Sequence, residues 1–261
     1  MASRILHISD LHVGARDDPV LEPALREIVE IVDPAVILAS GDLTHRGRAD
    51  QHARAAALLR ALDRPVVAVP GNHDIPYSFP ARFSSPWRLF DAEWGSTEPL
   101  LDTDGVRIVG VNSVRPWRHQ SGGLNDAALA RAESRLRGAA DGALRIVCLH
   151  HPLTGAPWRS RKRPLARRTL VLERLVDAGA DLIVSGHIHQ AAVSERHEFE
   201  VGAPRGTILA VAPGAGQPRP SRRGEARGAL TYVVDDDRVV VEAYIRLDDA
   251  FRLTASRTFA R

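Results

Sequence analysis

Five times along this 261-residue chain, an aliphatic run of strand length stops at residues that can offer a lone pair to a ligand. Residues 5–9 lead into Asp10-Leu11-His12-Val13-Gly14, and residues 35–40 into Gly41-Asp42. Residues 66–69 lead through Pro70 into Gly71-Asn72-His73-Asp74, residues 144–149 into His150-His151-Pro152, and residues 181–185 into Gly186-His187-Ile188-His189. Between the first runs, Leu25, Ile28, Val29 and Val32 fall at i, i+3, i+4 and i+7, and Ala55, Leu58, Leu59 and Leu62 repeat that spacing, which gathers apolar side chains on one helical face. Strands that read as continuous apolar runs are buried on both faces. Their alternation with amphipathic helices therefore predicts an α/β fold with a mostly parallel sheet.

In such sheets ligands collect beyond the carboxyl ends of the strands, so the five strand ends are expected to converge. Taken alone, Gly71-Asn72-His73-Asp74 reads equally as an ordinary turn, since glycine and asparagine are turn formers. Repetition at the other strand ends is what makes it a candidate site. The assembled donors are oxygens and nitrogens, numerous enough for two divalent ions if one carboxylate bridges.

These motifs, Asp10-x-His12, Gly41-Asp42, Gly71-Asn72-His73-Asp74, His150 and Gly186-His187-x-His189, resemble those of the calcineurin-like metallophosphoesterase superfamily, in family order across positions 10–189. Among its members the chain is most similar in size to bacterial cyclic-nucleotide phosphodiesterases. The resemblance implies two packed mixed β-sheets flanked by helices, a four-layer αββα sandwich. It implies Asp10, His12, Asp42 and His189 around one metal, and Asp42, Asn72, His150 and His187 around the other, with Asp42 shared. It further implies a hydroxide bridging the two metals as nucleophile, His73 as hydrogen-bond or proton donor to the phosphoryl group or leaving oxygen, and Asp74 as the residue that orients His73. Imidazole and carboxylate donors suit Mn, Fe and Zn alike, so the identity of the two divalent ions stays open.

The substrate expected from the resemblance is a small phosphodiester such as a cyclic nucleotide. A nuclease of the repair-exonuclease type and a phosphomonoesterase are the alternatives. Nucleic acid is the less favoured partner, because only 72 residues follow His189 and no aromatic and basic residues interleave as a strand-binding platform. A scaffold without chemistry is disfavoured, since such a protein is expected to lose ligands and all seven are present. Cys148 is the only cysteine, so no intramolecular disulfide can form. The first residues run straight into a strand and no stretch of about 18 apolar residues occurs. The expectation is a cytoplasmic protein with no membrane partner, folded as a single domain over 1–261 with a mostly β part at 190–261. Oligomeric state stays open, a homodimer included.

Other features carry weaker readings. Pro76, Pro80 and Pro86 crowd with Tyr77, Phe79, Phe83, Trp87, Phe90 and Trp94, which predicts loops and short helices through residue 103, with the aromatics as a satellite core. Asn125 is expected to cap a helix bearing Leu129, Ala132 and Leu136, and a later helix to turn Leu172, Leu175 and Val176 inward. Strand-like stretches at 207–211, 230–235 and 239–245 are expected to pair antiparallel in a second sheet. His7 reads as a satisfied core residue and Cys148 as a small buried hydrophobe. His151 stands between a structural and a substrate-contacting role, whereas His45, His52, His119 and His197 have no motif support. The basic stretch over 159–168 (Arg159, Arg161, Lys162, Arg163, Arg167, Arg168) reads as a solvated face, with contact to substrate phosphate the alternative.

Overall fold

Alternate residues of each aliphatic run face opposite sides of a sheet, and each side has its own cover. A computed structural model describes residues 3–15, 18–118, 120–154, 162–195, 206–216 and 226–261. In chain order the elements are β1 (Ser3–Ile8), α1 (Leu21–Val32), β2 (Val36–Ala39), α2 (Ala49–Arg60), β3 (Val66–Ala68), α3 (Ala81–Ser84), α4 (Arg88–Trp94), β4 (Leu100–Thr103), β5 (Val106–Gly110) and α5 (Asp126–Arg137). They continue with β6 (Leu144–Cys148), α6 (Arg168–Asp177), β7 (Leu182–Ser185), β8 (Ala192–Glu195), β9 (Ile208–Val211), β10 (Gly228–Val234), β11 (Arg238–Leu247) and β12 (Ala250–Ala260).

Ile5, Val36, Leu38 and Val67 pack into a core shared with Ile108, Ile146 and Val184, so this layer lies between two sheets. Their chain neighbours Leu6, Ile37 and Ala68 pack instead with Leu25 and Ile28 of α1 and Leu59 of α2. On the far side, Val109, Val147 and Ile183 pack with Leu129 and Leu136 of α5 and Leu175 of α6. Three apolar layers between four structural ones make the expected αββα sandwich. Each fully buried Leu, Ile or Val in it contributes about 1.5–3 kcal/mol.

Local chemistry sets the element ends. Asn125 caps α5 as expected, its side-chain oxygen accepting from the Ala128 N–H at 2.8 Å. At the end of α1, Asp33 turns left-handed (φ 49°) and returns its N–H to Val29, and Pro34 cannot continue the helix.

The two mixed sheets expected are present, and the parallel strands divide between them, β1-β2-β3 in one and β5-β6-β7 in the other. One sheet has the order β12-β11-β10-β1-β2-β3 and the other β4-β5-β6-β7-β9-β8. Hydrophobic runs identify buried strands, but they carry no information about which partner lies alongside. The C-terminal strands also differ from expectation. β10 pairs antiparallel with β1, so β10, β11 and β12 extend the first sheet. β9 is antiparallel to β8 but parallel to β7, in the second sheet. The satellite aromatic core is corrected too: Phe90 is fully buried and, with Trp94, joins the layer under α1 and α2, whereas Phe79 and Phe83 are exposed. In α6, Val171 and Leu175 are the buried residues and Val176 is only half-buried.

Candidate metal centre

The sandwich brings the five strand ends to one place. From the first sheet, the turns after β1, β2 and β3 present Asp10 and His12, Asp42, and Asn72 with His73. From the second, the turns after β6 and β7 present His150, His187 and His189. Backbone bonds stitch the turns together: Asp10 N–H to Gly41 O at 2.9 Å, His12 N–H to Asp42 O at 2.9 Å, and Gly186 N–H to His150 O at 3.1 Å.

At these turns the chain must reverse within one or two residues. Asp10 (φ 54°), His12 (49°), Asp42 (52°), His187 (70°) and His189 (63°) all take the left-handed conformation. That region costs a side chain of order 1 kcal/mol or more, and a surrounding structure must enforce it. Neighbouring glycines make the enforcement possible: a methyl group on Gly71 would strike the amide and carboxylate of Asp42, and one on Gly186 would strike Ser9 and Asp10.

Asp42 is the hub. Its Oδ1 accepts from the His73 N–H at 2.8 Å. Its Oδ2 lies 3.8 Å from His12 Nε2 on one side and 3.4 Å from His150 Nε2 on the other. Around His12, the His189 Nε2 is at 3.3 Å and itself lies 2.8 Å from Asp10 Oδ1. Around His150, the His187 Nδ1 is at 3.2 Å. The other oxygen of Asp10 is engaged away from this cluster, by Ser9 Oγ at 2.7 Å and His187 N–H at 2.8 Å. His150 Nδ1 donates to Ser40 O at 2.8 Å, which makes Nε2 the lone-pair atom of the neutral ring.

Burial and charge oppose each other here. Burial pushes the Asp42 carboxyl up, but the nearby His150 and His73 overcome it and hold Asp42 well below the usual carboxylate range. Burial likewise lowers His150, and Asp42 outweighs it, so the His150 value rises. His12 falls to about 4 through burial, only partly offset by Asp10 and Asp42. This low-dielectric pocket thus favours positive charge beside Asp42.

The donor set fits divalent cations. Groups of donor atoms lie within 4.8 Å of one another in Asp10, His12 and His189, and again in Asp10, Asp42 and His150. Two further buried polar atoms, Asn72 Oδ1 and His187 Nε2, have no hydrogen-bond partner among the described residues, a costly arrangement unless a ligand satisfies them. Imidazole with carboxylate suits Mn, Fe or Zn.

One expected role is corrected. Asp74 does not hold His73: its carboxylate accepts from Thr44 N–H at 2.7 Å, Thr44 Oγ1 at 2.9 Å, Gly71 N–H at 2.8 Å and Leu43 N–H at 3.2 Å. It therefore clamps the turn that carries Asp42 to the turn that carries Asn72. His73 Nδ1 is held instead by His45 O at 2.7 Å and Tyr77 Oη at 2.9 Å. Adjacent residues in a tight turn point apart, so sequence proximity is a poor guide to contact.

Other residues lie close by: His45, which the sequence reading passed over, and His151 and Lys162, which it left between two roles. The His45 ring stacks on His73 at 5.7 Å, and donor atoms of His12, His45 and His73 group together; only its place two residues after the Asp42-Leu43 turn could have signalled this. His151 is buried, its Nδ1 2.9 Å from Ser113 Oγ, and it groups with His150 and His187. Lys162 donates to the His187 carbonyl, so part of the basic stretch reaches the centre. Arg159 and Arg161 lie outside the described residues, as do His119 and His197. Arg167 instead pairs with Asp126 at 2.9 Å. His7 is satisfied by Tyr232 Oη at 2.8 Å and Ser40 Oγ at 2.9 Å. Cys148 is fully buried, which pushes its thiol to about 12.

An αββα sandwich that gathers carboxylates and imidazoles where its two sheets meet is the architecture of a metal-dependent phosphoester hydrolase. The calcineurin-like phosphoesterase family matches residues 3–191, and the chain belongs to it. A probable cyclic nucleotide phosphodiesterase of Rhodococcus erythropolis is 28% identical over 214 residues, covering 73% of this chain. This chain spans 66% of that relative, just under two thirds of its length. A 3′,5′-cyclic adenosine monophosphate phosphodiesterase of Haemophilus influenzae is 25% identical over 228 residues, covering 80% of this chain and 78% of its own. Among solved structures, a dimetal phosphatase from Danio rerio superposes with a TM-score of 0.68 over 99% of this chain and 98% of its own, at 17% identity, a likeness of fold alone. No helix among the described residues is long and apolar enough to cross a membrane.

Proposed function

We propose that the chain is a binuclear-metal phosphodiesterase acting on small phosphodiesters such as a cyclic nucleotide. The observation that carries this reading is Asp42, whose Oδ2 faces His12 and His150 at once while its Oδ1 is fixed by the His73 amide. Asp10, His12, Asp42 and His189 would hold one ion, and Asp42, Asn72, His150 and His187 the other. When bound, two such ions polarise phosphoryl oxygens and make water a nucleophile near neutral pH. His73, with Nδ1 donating to the His45 carbonyl, would serve through Nε2 as proton donor to the leaving oxygen in its doubly protonated, imidazolium form. Asp74 positions the two turns rather than a proton. The phosphodiesterase names of the relatives support the diester preference.

The test is a substrate panel with added Mn²⁺: bis(p-nitrophenyl) phosphate, p-nitrophenyl phosphate, 3′,5′- and 2′,3′-cyclic nucleotides, and single-stranded DNA. Small diesters are expected to turn over at least about tenfold faster than the monoester or the DNA, a gap of about 1.4 kcal/mol in barrier. DNA cleaved faster than every small diester would overturn the reading in favour of a nuclease.

A further inference from the structure

Many arginines among the described residues have an evident partner. Arg26, Arg60, Arg64, Arg107, Arg131 and Arg227, for example, each pair with a carboxylate. Arg46, Arg48 and Arg88 do not: among the described residues they make no ion pair, yet all three line one cavity of about 400 Å³. All three are exposed, so water screens their mutual repulsion, and an anion seated between them would be attracted by all three.

The cavity adjoins the candidate centre. Tyr77 lines it, and the Tyr77 hydroxyl is 2.9 Å from His73 Nδ1. Arg46 directly follows His45, whose carbonyl holds the same nitrogen at 2.7 Å. Arg46 and Arg48 thus sit on the continuation of the turn that presents Asp42, and Arg88 is the first residue of α4. Helix α2 starts here too, with Arg48 at its N-cap and no side chain satisfying its first amides, so its dipole adds positive potential. No acidic residue lines the cavity. Its volume is in the range of small-molecule subsites, about 300–1,000 Å³, and guanidinium groups are the residue type suited to phosphate.

We propose that this cavity is a subsite for a second, non-scissile phosphate of the substrate. The proposal rests on the phosphodiesterase reading and narrows it: within small phosphodiesters, a linear compound such as a 5′-phosphorylated dinucleotide is preferred over one that carries only the scissile phosphate. A cyclic nucleotide would be turned over without using the subsite.

Two measurements test this. The first compares kcat/KM for a dinucleotide with and without a 5′-phosphate, in the parent and in R46A/R48A/R88A. The second compares binding of a nucleoside 3′,5′-bisphosphate and a nucleoside 5′-monophosphate by calorimetry. The parent is expected to prefer the extra phosphate about tenfold or more in both, mainly through KM. The triple variant should lose that preference while keeping bis(p-nitrophenyl) phosphate turnover within twofold, which also reports that it folds. R46Q/R88Q serves if the triple variant does not fold, with an intermediate loss of preference expected. Equal values in the parent, or a preference that survives the substitutions, would overturn the proposal. A sulfate-sensitive bis(p-nitrophenyl) phosphate rate that the arginine substitutions abolish, without any bisphosphate preference, would make this a site for free anions and overturn the substrate assignment. If the parent hydrolyses no diester, the phosphodiesterase reading fails, and the binding comparison still decides the subsite on its own.

Discussion

The two sheets bring different chemistry to the centre. The first supplies both carboxylates and the amide, Asp10, Asp42 and Asn72, together with His12, on turns tied by backbone bonds and by the Asp74 clamp. The second supplies imidazoles alone, His150, His187 and His189. Formal negative charge therefore belongs to one sheet, and the other contributes imidazoles, of which His150 is oriented by its Nδ1 donating to the Ser40 carbonyl. The lesson is that neither sheet holds a complete site. Packing between the sheets is as much a condition for the chemistry as any ligand.

The sharpest way to break this asymmetry is to remove one donor from each side. Asp42→Ala should lower bound Mn²⁺ to below one ion per chain and turnover by about 10³-fold or more, since several kcal/mol of charge stabilisation go with the ions. His189→Ala should leave about one ion bound and retain more activity. Metal analysis beside kinetics checks both. Equal losses in the two variants would mean the charge is not concentrated on the first sheet.

A smaller effect is expected where the first sheet contributes a proton rather than a ligand. His73→Ala should lower turnover by about 10²–10⁴-fold, the usual worth of a positioned acid, with metal content unchanged. Loss of metal would reassign His73 as a ligand.

The smallest effect lies beneath the centre, in the first sheet itself. Burial lowers His7 from 6.5 to about 3, so the native ring stays neutral while the unfolded ring gains a proton below 6.5. Stability from this group is present above that pH and is lost as pH falls toward about 3, by up to about 1.4 kcal/mol per unit. His7→Gln should thus show a shallower acid loss than the parent between pH 6.5 and 4.5 in urea titrations. Parallel profiles would contradict the assignment.

Much of this was legible in the sequence, for a physical reason. Strands buried on both faces announce themselves as aliphatic runs, and Asp10, Asp42 and His150 stand out because each interrupts one. Which strand joins which of the two sheets was not legible, because Ile5 and Ile146 look alike whichever strand lies beside them. β12 was missed because most of its residues are exposed and it pairs with β11 alone. His45 was missed because it follows no periodic pattern. Asp74 was found, but its role came out wrong, since only the folded turns show which amides its carboxylate reaches.

The five left-handed residues have a consequence for how such a centre can evolve. Aspartate, asparagine and histidine are the side-chain-bearing residues that most readily tolerate that backbone region, and they are also oxygen and nitrogen donors. Chain path and donor identity are therefore drawn from one short alphabet. Drift among those three letters at Asp10, His12, Asp42, His187 or His189 can retune which ion is preferred without rerouting the backbone, whereas a β-branched or bulky newcomer is penalised before its chemistry is ever sampled.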